Sequence, residues 1–167
     1  MAVINPIATT PEDQFVVGES DMAFYSNYAG RCECGAVLFC RSGRARATIN
    51  QVNCEIRRNT LFYILPGWLL LITDRTADFR VSFCAFSQEL FSEAAFRLEP
   101  SFFRRLSSYP VHDPDHAVAS SVDAWFAMVA YTYVDRDNIH RTTIMRNRLQ
   151  NALLEIDDKW RRFPVDR

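Results

Sequence analysis

Three histidines and five cysteines are the residues of this chain best suited to chemistry, and their placement argues against most of it. From Cys34 to Phe86 short apolar runs alternate with turn signals, the rhythm of a small antiparallel barrel or jelly roll. A metal held in such a barrel needs imidazoles and a carboxylate converging from neighbouring strands. No histidine lies in that stretch; His112, His116 and His140 all follow it. His112 and His116 would share a helical face only if a helix began early, and Pro114 sits between them. They read as solvated loop and helix-start residues. Cys32 and Cys34 form a C-x-C without the second pair a zinc site needs. An odd number of cysteines cannot all pair within one chain, and Cys40, Cys54 and Cys84 fall inside strand patterns. They read as buried, reduced thiols behaving as small hydrophobes. There is no G-x-S-x-G, no histidine next to a barrel cysteine and no glycine-rich phosphate loop. No catalytic residue, metal or cofactor is expected.

Binding is the chemistry left. Tyr25, Tyr28, Tyr63, Trp68, Arg80 and Phe86 are the candidate pocket residues. Aromatic faces stack on sugar rings, and arginine pairs with acidic groups. Strand alternation sets Phe79, Val81 and Phe83 on one face and Arg80, Ser82, Cys84 and Phe86 on the other. Which face points inward stays open.

The positioning elements are plain in outline. Residues 1–13, with Pro6 and Pro11, read as an arm, and Gln14–Gly18 and Asp21–Tyr28 as strands. The barrel strands are Gly35–Cys40, Ala45–Ile49, Leu61–Leu65, Trp68–Thr73 and Phe79–Phe86, with Asn50–Asn53 as one of the turns. Ser87 caps a short helix, and Glu99-Pro100-Ser101 opens another. Apolar spacings of three and four predict a long helix over 114–134, capped by Asp113 or Asp115. A second long helix, recapped by Asp137, extends to Lys159 or Trp160. Its stripe of Met145, Leu149, Ala152, Leu153, Ile156 and Trp160 has the near-heptad spacing of a dimer seam. The competing reading is that both helices only cover the barrel.

The chain has 167 residues, half of them apolar, with 13 phenylalanines and a formal net charge of -1. That suits one domain with an appendage and supplies a sizeable core. It supplies no overall field for phosphates. The basic pairs Arg44 and Arg46, Arg57-Arg58, Arg104-Arg105 and Arg161-Arg162 are dispersed and read as solvated surface, so DNA binding by this chain itself is not expected. No signal-peptide pattern opens the sequence. The longest apolar stretch, Leu61 to Ile72, is broken by Pro66-Gly67 and is too short to span a bilayer. A cytoplasmic location without membrane contact is expected.

The order of parts resembles a known family. Cys40-Arg41-Ser42-Gly43, Ile49-Asn50, Asn59-Thr60-Leu61-Phe62, Ile64-Leu65-Pro66-Gly67, Asp78-Phe79-Arg80 and Phe86-Ser87-Gln88-Glu89 resemble the N-terminal regulatory domain of AraC-type bacterial transcription regulators. The versions found in gut Bacteroidetes look most similar, and the resemblance covers roughly residues 15 to 160. It implies an α+β fold: a cupin-like antiparallel β-barrel, or jelly roll, followed by an antiparallel pair of long α-helices. It implies an effector-binding barrel over 14–98 that holds a small molecule such as a sugar or other metabolite. It further implies a helical region over 99–160 that forms a homodimer. Residues 161–167 would start a linker to a helix-turn-helix DNA-binding domain that the sequence does not include, and DNA would be contacted only through that domain. Two other readings compete: a small metal-free enzyme of the same barrel, an isomerase or lyase, and a dimerisation module without effector.

Overall fold

Two kinds of strand sequence build two kinds of sheet. The computed structural model describes residues 4–26 and 29–162, the side chains of residues 160 and 162 excepted. In β3 (Gly35–Ser42), β6 (Leu61–Ile64) and β8 (Arg80–Phe86) apolar residues run almost without a break, and nearly every position is buried. With β1 (Phe15–Ser20) and β9 (Val111–His112) they form one antiparallel sheet in the order β1-β8-β3-β6-β9. In β4 (Ala45–Ile49) and β5 (Val52–Ile56) burial alternates along the strand. These join β2 (Gly30–Arg31) and β7 (Leu69–Arg75) in a second sheet, β2-β7-β4-β5. Alternation marks a sheet with one face in water; continuous burial marks one covered on both faces.

Two hydrophobic clusters follow. Between the sheets, Leu38, Phe62, Ile64, Val81 and Phe83 of the larger sheet meet Ala47, Ile49, Ile56, Leu70 and Ile72 of the smaller. Their sequence neighbours Val37, Phe39, Tyr63, Cys84 and Phe86 point the other way. There α1 (Gln88–Ala95), α2 (Pro100–Ser108), α3 (His116–Val134) and α4 (Arg141–Arg162) cover them. The register keeps the two sets apart: Val37 lies opposite Tyr63 and Cys84, and Leu38 opposite Phe62 and Phe83. The expected jelly-roll sandwich followed by long helices is what the chain forms.

Local signals place the elements. Ser87 Oγ accepts from the Leu90 N–H at 3.1 Å, Pro100 occupies the first turn of α2, and Asp115 accepts from Val118 N–H at 2.9 Å. Three expectations need correcting. The expected strand Asp21–Tyr28 contains a 3-10 turn, Ala23–Tyr25. Ser20 Oγ and Asp21 Oδ1 capture the N–H groups of Met22 and Ala23, which turns the chain where aromatic content favoured a strand. The turn expected at Asn50–Asn53 is only Asn50-Gln51, both with positive φ, and β5 follows at once. Asp137 does not open the last helix. Asn138 accepts from His140 N–H at 2.9 Å and donates to Asp135, and α4 starts at Arg141.

The expected dimer seam also needs correcting. Met145, Leu149 and Leu153 are 0, 0 and 1% exposed in the single chain, packed in the cluster with Phe126, Val129 and Leu90. Ala152 and Ile156 are half-buried, and the side chain of Trp160 lies outside the described residues. A barrel able to close by itself would have left this stripe free. A sheet that is apolar on both faces cannot, and the helical layer supplies its cover, α3 lying on β1 and β8 and α4 packing on α3 and α1. Arg41 helps fix α3 to the sheet. It sits at a register slip between Cys40 and Ser42, donates to Ser82 Oγ at 2.8 Å, pairs with Asp123 of α3 and lies over the Phe39 and Phe126 rings.

Candidate functional site beneath the N-terminal arm

The interior of the sandwich is closed at one end by the chain's own N-terminal arm. Ile7 is 1% exposed and belongs to the cluster between the sheets, beside Met22, Tyr25 and Cys32. Tyr25 is buried there as well, and its hydroxyl donates to Asn5 Oδ1 at 2.7 Å. The same oxygen accepts from the Ile7 N–H at 3.1 Å, so one side chain both shapes the arm and fastens it. Cys32 Sγ donates to the Tyr25 hydroxyl at 3.7 Å, and Cys34 Sγ lies 3.2 Å from Thr9 Oγ1 of the arm. Gly30 is required next to this ring, since a Cβ there would fall 2.8 Å from Tyr25 Cε1. Trp68 packs half-buried at the rim, where its carbonyl accepts from the Cys32 N–H at 2.8 Å.

The arm's other end reaches the helices. Asp13 pairs with Arg141 at 3.0 Å and with Arg136 at 2.9 Å. Arg141 stands at the start of α4, only 11% exposed. It also donates to the backbone carbonyls of Thr132 and Tyr133 at the end of α3 and lies over the Phe15 and Tyr133 rings. Burial opposes the charge on Asp13, yet hydrogen bonds from Arg141 and Arg136 hold its carboxyl below the usual carboxylate range. A single arm thus touches the sandwich interior at Asn5 and Ile7 and the α3–α4 turn at Asp13.

Burial pushes the Cys32 thiol up to about 11 and raises the Tyr25 phenol, so both are protonated near neutral pH. Cys40 and Cys54 are likewise pushed up to about 11, and Cys84 is raised too. Among the described residues no group of three or more metal-ligating side chains comes together.

The sequence candidates separate in space. Tyr25 lies inside the sandwich and Trp68 at its rim. Tyr63 and Phe86 face the helices, on the other side of the sheet, and do not line the interior. Arg80 is exposed at the start of β8, and Tyr28 lies outside the described residues. Tyr63 is fully buried, and its hydroxyl has no hydrogen-bond partner among the described residues. Asn5, Ile7, Thr9 and Cys32 were not among the candidates.

His112, expected in a solvated loop, lies half-buried in β9 with its ring against Tyr63 at 5.9 Å. Burial lowers its pKa to about 4. Between pH 6.5 and about 4 the unfolded chain takes up a proton that the folded chain refuses, so stability falls with falling pH over that window. Denaturant titrations at pH 7 and pH 5 are expected to differ by about 2 kcal/mol, and His112→Leu to flatten the difference. Equal pH slopes for the two proteins would disprove this account.

An apo structure of ToxT from Vibrio cholerae superposes on 92% of this chain with a TM-score of 0.57 at 10% identity, and this chain spans 60% of it. The chain has the fold of an AraC-type regulatory domain. The AraC-like transcriptional activator CuxR matches 85% of this chain and 49% of its own, with TM-score 0.48 and 14% identity. The Cnp3 cupin domain of Schizosaccharomyces pombe matches 56% of this chain and 71% of its own, with TM-score 0.36 and 10% identity. No protein-family model matches the sequence, and no curated protein sequence matches it. The antiparallel sandwich followed by long helices, read from the sequence, is borne out as a fold that ToxT shares. Among the described residues no helix is long and apolar enough to cross a membrane.

Proposed function

We propose that this chain is the effector-sensing and dimerisation module of a cytoplasmic AraC-type transcription regulator, with DNA contacted through a helix-turn-helix domain joined beyond Arg167. One observation carries the reading: the arm that plugs the sandwich interior with Ile7 and Asn5 is ion-paired through Asp13 to the turn between α3 and α4. A small molecule entering beside Tyr25 and Trp68 has to displace Ile7. Displacement loosens the Asp13–Arg141 pair and shifts the α3–α4 hairpin toward a second arrangement. The ligand drives this only through its higher affinity for the open-arm state. The dimer face is the outer side of α3. Met128, Tyr131 and Val134 stand exposed on that helix, beside the exposed Ala124, Ala127 and Ala130.

A filled interior favours a second reading, a dimerisation module without effector. The test is a thermal-shift screen of sugars, sugar acids and small carboxylic acids against the native chain and an Asn5→Ala variant. A structure of ToxT was solved with (E)-4-(8-methylnaphthalen-1-yl)but-3-enoic acid bound, so aryl carboxylates belong in the set. Freeing the arm is expected to strengthen binding of a true effector by up to about tenfold, the worth of one hydrogen bond to a competing plug. If no compound stabilises either protein, the effector-free reading takes its place.

A further inference from the structure

A second binding feature lies far from the arm, where the ends of β4, β5 and β7 meet. Arg44, Arg46, Arg57 and Arg75 line a cavity of about 130 Å³ together with the buried Ala45 and Ile56. The two carboxylates in its wall, Glu55 and Asp74, both face Arg46 across the sheet. Arg57 and Arg75 are held from outside the cavity, by Asp113 at 3.1 Å and by Asp21 at 3.6 Å. Each guanidinium has five N–H donors, so both keep donors to spare. Arg44 makes no ion pair among the described residues.

The site is held firmly. Gly43 adopts φ +73°, and a Cβ on it would fall 2.6 Å from Thr76 Oγ1 and 2.7 Å from the Phe79 backbone. This close approach lets Arg44 and Thr76 exchange bonds: Arg44 N–H to Thr76 Oγ1 at 3.0 Å, Thr76 N–H to Arg44 O at 2.9 Å. Asp78 accepts from the Thr76 hydroxyl at 2.7 Å, and its carbonyl accepts from Ser42 Oγ at 2.6 Å. Two adjoining turns are thereby stitched together with Arg44 and Arg75 at their bases. Fixed backbone beneath several guanidiniums is the arrangement that recognises oxyanions by paired N–H···O bonds.

We propose that this cavity binds the phosphate group of a small phosphorylated molecule, with Arg44 as the principal ligand and Arg57 and Arg75 flanking it. The volume equals that of about four waters at roughly 30 Å³ each. It admits one phosphate group, and the remainder of a larger ligand lies over the rim. It is too small to enclose a whole drug-sized ligand, which takes about 300 Å³ or more. The proposal goes beyond the sensor reading and stands without it, since the arm and Tyr25 take no part.

The experiment is a calorimetric titration of the full chain with inorganic phosphate, glucose 6-phosphate and succinate, at ionic strength held constant with chloride. Saturable phosphate binding at millimolar concentration is expected, weakened about tenfold or more in Arg44→Ala, the loss expected for hydrogen bonds to a charged group. Arg44→Ala removes no ion pair, so its melting temperature serves as the control for folding. Tighter binding of glucose 6-phosphate identifies a phosphorylated metabolite as the ligand; equal binding identifies free phosphate. Tighter binding of succinate, binding undiminished in Arg44→Ala, or no saturation above the chloride control would each overturn the proposal.

Discussion

Replacing Leu149 by alanine is expected to lower the free energy of unfolding by about 2–5 kcal/mol, the usual range for truncating a buried leucine. The loss should be the same at every protein concentration. That second statement carries the weight. Leu149 is 0% exposed in the single chain, and with Met145 and Leu153 it turns into the cluster where α4 packs on α1 and α3. Were it instead a dimer contact, its removal would make apparent stability depend on concentration by mass action. The contrasting variant is Tyr131→Glu on the outer side of α3, where the side chain is 68% exposed. It should leave the stability of the subunit within about 0.5 kcal/mol, as surface substitutions do. A buried charge at a self-complementary apolar seam should meanwhile shift a dimer toward monomers in sedimentation. Denaturant curves at two concentrations, with sedimentation of both variants, separate the roles. Concentration-dependent loss in Leu149→Ala would return the seam to α4.

Replacing Arg141 by alanine is the second large effect, expected at about 3 kcal/mol. Removing one partner of a largely buried pair commonly costs about 3–5 kcal/mol because the other charge is left stranded. Here Arg136 still reaches Asp13, which favours the lower end. The loss also includes the carbonyls of Thr132 and Tyr133, which close the end of α3 and have Arg141 as their donor. Arg141→Lys should recover little of it, since an ammonium cannot span two carbonyls and a carboxylate with one planar fork. The acid limb checks the ion pair separately. Asp13 has a lowered pKa in the folded chain, so its contribution is complete above its unfolded value near 4 and fades as pH falls through the folded one. That fading should be smaller in Arg141→Ala. A destabilisation below 1 kcal/mol would mean that the arm and the hairpin are not mechanically joined.

The elements of this fold were largely legible because their signals are local. Ser87 and Asp115 are caps wherever they precede such helices, and Pro100 opens a helix without losing a bond. The alternation of β8 was legible too, yet its inward face was not. Phe83 and Phe86 are equally apolar, and the polar Ser82 on the helix-facing side is itself buried, so polarity does not mark the outside. Tyr63 and Phe86 were candidates for the interior for that reason, and the helix-facing side claimed them. The same fact moved Met145, Leu149 and Leu153 from the seam to the core. The plug was illegible for a different reason. Ile7 stands between Pro6 and Ala8-Thr9-Thr10 with no helix or strand periodicity around it, and nothing in its neighbourhood points to Tyr25. The pairing of Asp13 with Arg141 joins opposite ends of the chain, which no local pattern records.

The order β1-β8-β3-β6-β9 also sets a timetable for folding. In the smaller sheet β4 and β5 are joined by a two-residue turn, and α3 and α4 are neighbours in sequence, so both can form early. The larger sheet cannot. Phe15 must wait for Phe86, and β3 must wait for β8, so its pairings carry the loop-closure entropy of most of the sandwich. Until β8 leaves the ribosome, β1 has no partner in the sheet and β3 has only β6, so its other apolar edge stands open. The layer that ends most deeply buried is therefore the last to close, and a nascent chain stalled before Phe86 is the species most exposed to aggregation.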